Sequence, residues 1–159
     1  MFLRNFKKTM KKCVLIVEAR FYSKIADDLV EGAIAVLNED GINYERIEVP
    51  GVFEVPAAVN FAIQSMKDNI NKKKYTGFIT LGAVIRGETD HYEHICREAS
   101  RALMNISVNQ SVAIGFGILT CENQEQAIER ADVNRGNKGA DAAKACLRMM
   151  ALNKELCMT

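Results

Sequence analysis

The sequence has no tryptophan, only two prolines, no CxxC pair and almost no net charge. Each shortage excludes something. Lys and Arg number 21 against 20 Asp and Glu, a net charge of +1. Binding nucleic acid needs a concentrated basic face to neutralise phosphates, and this balance supplies none. The five cysteines, Cys13, Cys96, Cys121, Cys146 and Cys157, are odd in number and widely spaced. That pattern fits neither a disulfide framework nor a zinc site; it predicts reduced thiols in a cytoplasmic protein. No apolar run approaches the ~20 residues needed to cross a bilayer. The short apolar run Cys13 to Val17 that follows the basic N-terminus is too brief for a signal-peptide core. Repeats, low-complexity tracts and linkers are also missing.

What is present is the composition of an ordinary globular domain, 159 residues of which 48% are hydrophobic and 26% charged. That length buries most of its surface without staples. Residues 1–12, with Lys7, Lys8, Lys11 and Lys12, are expected to form a flexible N-terminal arm, and residues 13–159 one domain. Lys72-Lys73-Lys74 reads as a solvated loop.

Two hydrophobic periods alternate along the chain. Cys13–Val17 is a short β-branched run, the pattern of a strand buried on both faces. Ser23 is placed to cap a helix whose Ile25, Leu29, Ala33, Val36 and Leu37 recur at helical spacing. Gly41 ends it, and a second strand runs from Ile42 to Val49 up to Pro50-Gly51. Pro56 suits the first turn of a second helix. A third strand follows over Gly77–Leu81, then a glycine-flanked loop and a helix from His91 to Val108, with Asp90 and Glu93 spaced as a capping box. Ser111–Phe116 is the fourth strand; a short helix capped by Asn123 ends near Arg130, and a last one covers Ala140–Leu156. Strands alternating with helices imply a parallel sheet covered on both faces.

Open parallel sheets bind ligands beyond the carboxyl ends of their strands. Those ends carry Arg20-Phe21, then Pro50 to Glu54, then Arg86-Gly87-Glu88-Thr89-Asp90-His91, then Phe116-Gly117. The third group leads into a helix N-terminus, a setting that favours anions. Arg86 either adds charge there or holds the loop through an ion pair. Histidine ordinarily suits proton transfer at neutral pH, and His91 is either a proton-transfer group or a histidine bonded to a local carbonyl. His94, one turn on, reads as a packing or surface residue, and the two make no metal pair without a third ligand. Phe21, Phe53 and Phe116 are either core residues or a stack for a planar heterocycle. Glu54 stands in an apolar stretch and could accept from a ring N–H. Arg130 either complements a helix C-terminus or clamps phosphate.

Read together, Arg20-Phe21, Val49 to Pro56, Gly82 to Thr89 with His91-Tyr92-Glu93, Phe116 to Thr120, Glu125 to Ala131 and Gly136 to Gly139 resemble the lumazine synthase family, from about Val14 to Leu152. The resemblance implies a three-layer α/β/α, flavodoxin-like sandwich with a four-stranded parallel sheet in the order 2-1-3-4. It implies condensation of 5-amino-6-(D-ribitylamino)uracil with 3,4-dihydroxy-2-butanone 4-phosphate, without metal or redox cofactor. By matched position, His91 is implied to move protons. Phe21 stacks on the pyrimidine, and Val52, Phe53, Glu54, Ala83, Val84 and Ile85 hold the ring and ribityl chain. Glu88 and Thr89 offer backbone groups to the phosphate; Arg130 grips it, with Lys138 assisting; and Phe116 arrives from a neighbouring subunit. The implied assembly is a pentamer with sites between subunits, with a sixty-subunit icosahedral shell as the preferred larger form and riboflavin synthase as a further partner. Ala19 and Tyr22 depart from the glycine and asparagine common in the family, Glu88 replaces an alanine found in other members, and His94 has no family role.

Two other readings remain beside the enzyme. One is a non-catalytic flavin- or pteridine-binding module on the same scaffold. The other, a phospho-receiver domain, needs an aspartate at the end of the third strand; Leu81-Gly82 stands there, which excludes it.

Overall fold

The computed structural model describes residues 12–68 and 74–157. The expected N-terminal arm, except Lys12, and Lys72 and Lys73 of the expected lysine loop lie outside them.

The strands are β1 (Cys13–Ala19), β2 (Asn43–Val49), β3 (Gly77–Ile85) and β4 (Ile114–Cys121). The helices are α1 (Ser23–Glu39), α2 (Val55–Lys67), α3 (His91–Gln110), α4 (Gln124–Ala131) and α5 (Lys138–Cys157), with a 3-10 turn at Val52–Glu54. All strand pairs are parallel, in the order β2-β1-β3-β4. The chain steps from β1 to β2 on one side and then crosses to β3 on the other, so strand order reverses between β1 and β3. This is the three-layer, flavodoxin-like sandwich expected from the sequence.

The period of two along β1 divides the core. Val14 and Ile16 face a layer built from α1, α4 and α5, with Leu29, Ala33, Leu37, Ala127, Ala143 and Cys146. Leu15, Val17 and Ala19 face the other, with Val55, Val59 and Ile63 of α2 and Ala99 and Leu103 of α3. Burying such aliphatic side chains contributes about 1.5–3 kcal/mol each, which is why a run apolar on both faces commits to the sheet centre. Burial also pushes the Cys146 thiol up to about 12, so it stays protonated in the core.

Most signals at the helix ends are borne out. Gly41 takes φ +64 beyond α1, where Ile42 N–H donates to Leu37 O (2.9 Å), as in a Schellman-type stop. Pro56 occupies the first turn of α2, and the Asn123 side chain accepts from Gln126 N–H.

Other boundaries need correction. β1 runs two residues further than expected, taking Glu18 into the sheet, and β3 continues through Gly82 to Ile85. The supposed glycine loop therefore starts only at Arg86, because Gly82 to Ile85 pair with Ile118 to Cys121. β4 begins at Ile114 and places Phe116 inside the strand, not at its end. The capping box at α3 does not form: Asp90 makes no side-chain cap, and Glu93 is taken by Arg86. Ser23 lies inside α1 without capping it. Among the described residues no helix is long and apolar enough to cross a membrane.

Candidate active site

An open cleft of about 680 Å³ lies beyond the C-terminal ends of β1, β2 and β3, at the point where strand order reverses. Phe21 and Tyr22 line it from the end of β1, Pro50 to Glu54 from the end of β2, Ala83 to Ile85 from β3, and His91, His94 and Ile95 from α3.

Its floor depends on small residues. A Cβ built on Gly82 would lie 2.8 Å from Ala19 Cβ and 2.9 Å from Val52 Cγ2. Only glycine lets the end of β1 and the 3-10 turn close against β3. Val52 is buried in that contact, and the next two residues, Phe53 and Glu54, project outward.

Phe21 is 72% exposed and Phe53 62%. Neither is a core residue, so of their two readings the structure excludes the first. Among the described residues the one ring contact of this pair is the edge of Phe21 against Tyr22 at 4.9 Å, so both rings present apolar surface at the cleft.

The Phe21 turn is anchored by a group the sequence reading passed over. Glu18 is fully buried in β1, and its carboxylate accepts from Arg46 Nε (2.7 Å), Arg46 Nη2 (3.1 Å) and Arg20 Nη1 (3.1 Å). A buried charge is costly unless it is paired and hydrogen-bonded, and two guanidinium groups meet that demand. Arg20 also pairs with Asp27 of α1 (2.8 Å), and its backbone N–H donates to Val49 O (3.0 Å). The residue preceding Phe21 is thereby tied to β1, β2 and α1. A signal existed in the sequence: an acid closing an otherwise apolar strand.

The loop after β3 is fastened in the same way. Arg86 stacks 4.2 Å over the Tyr92 ring, donates from Nε to Glu122 (2.7 Å) and pairs with Glu93. Of its two expected uses the ion pair is the one observed. The Arg86 guanidinium holds the Glu93 carboxyl below the usual glutamate range. Between these anchors, Gly87 has nothing within 4 Å of a built Cβ, and Glu88, Thr89, Asp90 and His91 are exposed. Thr89 Oγ1 accepts from the His91 backbone N–H (3.4 Å). His94 is exposed, so of its two readings the surface one is observed; it lines the cleft and is paired through Nε2 with Asp90 Oδ2 (3.2 Å).

The cleft thus gathers Phe21, Val52, Phe53, Glu54, Ala83, Val84, Ile85 and His91 from the expected set. Glu88 and Thr89 stand on the loop beside it and do not line it. Phe116 does not reach it in this chain. It faces a second groove with Tyr92, Cys96, Arg97 and Thr120, on the outer side of α3 and the edge strand β4. Arg130 and Lys138 line neither cavity. Arg130 is exposed in the last turn of α4 and donates to Gln126 O (3.1 Å); Lys138 pairs with Asp141 (2.8 Å). Tyr22, Pro50, Gly51, His94 and Ile95 line the cleft without having been singled out as site residues.

Such a cleft offers flat apolar faces for a ring, strand-end and turn backbone for polar contacts, and imidazoles for proton transfer. Among the described residues no three His, Cys, Asp or Glu side chains gather closely enough to hold a metal ion.

Comparisons with known proteins agree over most of the chain. A family model described as 6,7-dimethyl-8-ribityllumazine synthase matches residues 11–154. A protein of that name from Bartonella tribocorum is 51% identical over 144 residues, covering 91% of each chain. One from Agrobacterium fabrum is 49% identical over 146 residues, 92% of this chain and 97% of its own. One from Paramagnetospirillum magneticum is 46% identical over 143 residues, 90% and 95% respectively.

Proposed function

Because the chain belongs to the 6,7-dimethyl-8-ribityllumazine synthase family, we propose that its cleft condenses 5-amino-6-(D-ribitylamino)uracil with 3,4-dihydroxy-2-butanone 4-phosphate. The products are 6,7-dimethyl-8-ribityllumazine, phosphate and water. The observation that carries this reading is the joining, in one cleft, of exposed Phe21 and Phe53, strand-end backbone of Ala83 to Ile85, and His91.

In this mechanism Phe21 stacks on the pyrimidine, while Phe53, Glu54 and the backbone of Val52 and of Ala83 to Ile85 hold the ring and ribityl chain. The uracil amine attacks the butanone carbonyl, and loss of water gives an imine. Phosphate is then eliminated, and the ribitylamino nitrogen attacks the remaining carbonyl and closes the second ring with loss of a second water. His91 carries protons between these steps. No bond requires an electron acceptor. Alignment of two reactants in one cleft supplies up to ~7–11 kcal/mol, and acid–base assistance typically ~10²–10⁴-fold.

The phosphate is assigned to the backbone of Glu88 and Thr89, to Arg130 and to Lys138. Arg130 and Phe116 both lie away from the cleft of their own chain, which supports a site completed by a neighbouring subunit. The assembly is accordingly a homo-oligomer, with a pentamer as its unit and a sixty-subunit icosahedral shell as the larger form. Riboflavin synthase is its natural partner, as the consumer of lumazine, and the compartment is the cytoplasm. Light scattering of the purified protein reads the assembly directly. A monomer in solution would contradict it.

The test of the activity is to mix the purified protein with both substrates and follow lumazine absorbance and free phosphate together. Equal amounts of the two support the reading. Tight riboflavin binding without phosphate release would favour a non-catalytic binding module.

A further inference from the structure

The segment Arg86 to His94 carries one arginine against three acids, Glu88, Asp90 and Glu93, when its two histidines are neutral. The arginine is already committed to Glu93 and Glu122. A loop placed beside a phosphate is therefore net negative, and its two histidines are His91 and His94. Only one of the two has a carboxylate partner within the loop: His94 Nε2 lies 3.2 Å from Oδ2 of Asp90, the residue just before α3.

We propose that the Asp90–His94 pair is a charge gate at the mouth of the cleft, setting affinity for the phosphorylated substrate according to pH. With His94 protonated the pair is neutral. With His94 neutral it presents the bare Asp90 charge to an incoming dianion. His94 is thus a positioning and specificity residue, distinct from the proton-transfer role given to His91. The pair rests on the reading that the cleft takes a phosphorylated substrate, and deepens it.

The charged groups around His94 belong to its own helix and its start, with Glu54 lining the same cleft from the 3-10 turn. Asp90 immediately precedes α3, and Glu93 and Glu98 lie on it. Arg97 follows on the same helix and Arg101 is held by Glu98. Glu54 faces the same cleft from the 3-10 turn, Tyr22 from the start of α1, and His91 from the first turn of α3. Both partners are solvent-exposed, at 64% and 84% of the side chain, so the pair acts on the ligand through water and not as a buried clamp.

Two substitutions move the gate in opposite directions. His94→Gln cannot be protonated, so Asp90 stays uncompensated at every pH. Asp90→Asn removes the negative charge and leaves the histidine. The KM for the butanone phosphate is measured in wild type and both variants between about pH 5 and 8, the range in which histidine titrates. At the acidic end His94→Gln should raise that KM about two- to fivefold, the size of one charge acting across several ångströms of solvent. Asp90→Asn should lower it by a similar factor, most clearly at the alkaline end. The KM for the uracil amine should not follow either trend. The affinity for inorganic phosphate, measured calorimetrically over the same range, should rank the three proteins identically. That ordering does not depend on turnover, so an inactive wild type would contradict the condensation reading while the gate is still decided. If His94→Gln tracks wild type at every pH, or Asp90→Asn weakens phosphate, the gate does not exist.

Discussion

Arg86 Nε donates to Glu122 at 2.7 Å, joining the residue that leaves β3 to the residue that leaves β4. The backbone continues the same contact, since Arg86 N–H donates to Cys121 O at 2.9 Å. With Tyr92 beneath the guanidinium and Glu93 on its other edge, the arginine locks the loop to the first turn of α3. That turn carries His91. Replacing Arg86 with alanine releases all three partners, and a misplacement near 1 Å at the chemistry can cost about a hundredfold. Arg86→Ala is expected to lose about ten- to a hundredfold in kcat/KM while the sheet stays folded, read by steady-state kinetics beside circular dichroism.

The same lock has an acid limit. Glu93 is held below the ordinary glutamate range, first by its hydrogen bond from Arg86. A lowered folded-state pKa adds stability above the unfolded value near 4.5, and that stability is lost as pH falls through the folded value. Wild type should therefore melt above Glu93→Gln at neutral pH, with the two Tm values converging below about pH 4.5. Because the pair is exposed, the gap should be small and should shrink in salt. Parallel Tm curves down to the acid limit would show that the pair contributes nothing.

Gly82 makes a prediction about packing. A methyl group there meets Ala19 Cβ at 2.8 Å and Val52 Cγ2 at 2.9 Å, both in the layer shared with α2 and α3. Gly82→Ala should destabilise the fold by about 1–3 kcal/mol, the usual cost of overpacking. Since the displaced Val52 carries Phe53 and Glu54, affinity for the uracil substrate should fall too. Pairing the substitution with Ala19→Gly should restore part of both, measured by urea unfolding and by KM.

Arg130 is the sharpest test of the phosphate assignment. A charged hydrogen bond contributes about 1.5–3 kcal/mol, so Arg130→Ala should raise the KM for the butanone phosphate about ten- to a hundredfold. The KM for the uracil amine should change little. An unchanged KM for the phosphate substrate would remove Arg130 from the site.

Much of this was legible in the sequence, for identifiable reasons. The order of strands and helices follows from switching periods, and the helix stops at Gly41 and starts at Pro56 and Asn123 follow from local backbone chemistry. The cleft residues Phe21, Phe53 and His91 were found because strand ends in such sheets face ligands. What escaped detection were long-range partners. Glu18 and Arg46 are 28 residues apart, and Arg86 and Glu122 are 36 apart, so no local window shows them as pairs. The continuation of β3 through Gly82 was hidden because glycine normally punctuates strands, whereas here it makes room for Ala19 and Val52. The Asp90–Glu93 spacing suggested a capping box, but Arg86 outcompeted the helix end for the glutamate.

The central claim is tested most directly by the stoichiometry and rate of one reaction in wild type and in His91→Ala. Lumazine absorbance and phosphate release are recorded together from the two substrates. Wild type should yield one phosphate per lumazine, and His91→Ala the same ratio at a rate lower by ~10²–10⁴-fold, because alignment survives while proton transfer is lost. A wild type that binds the uracil amine but releases no phosphate, or a His91→Ala protein as fast as wild type, would contradict it.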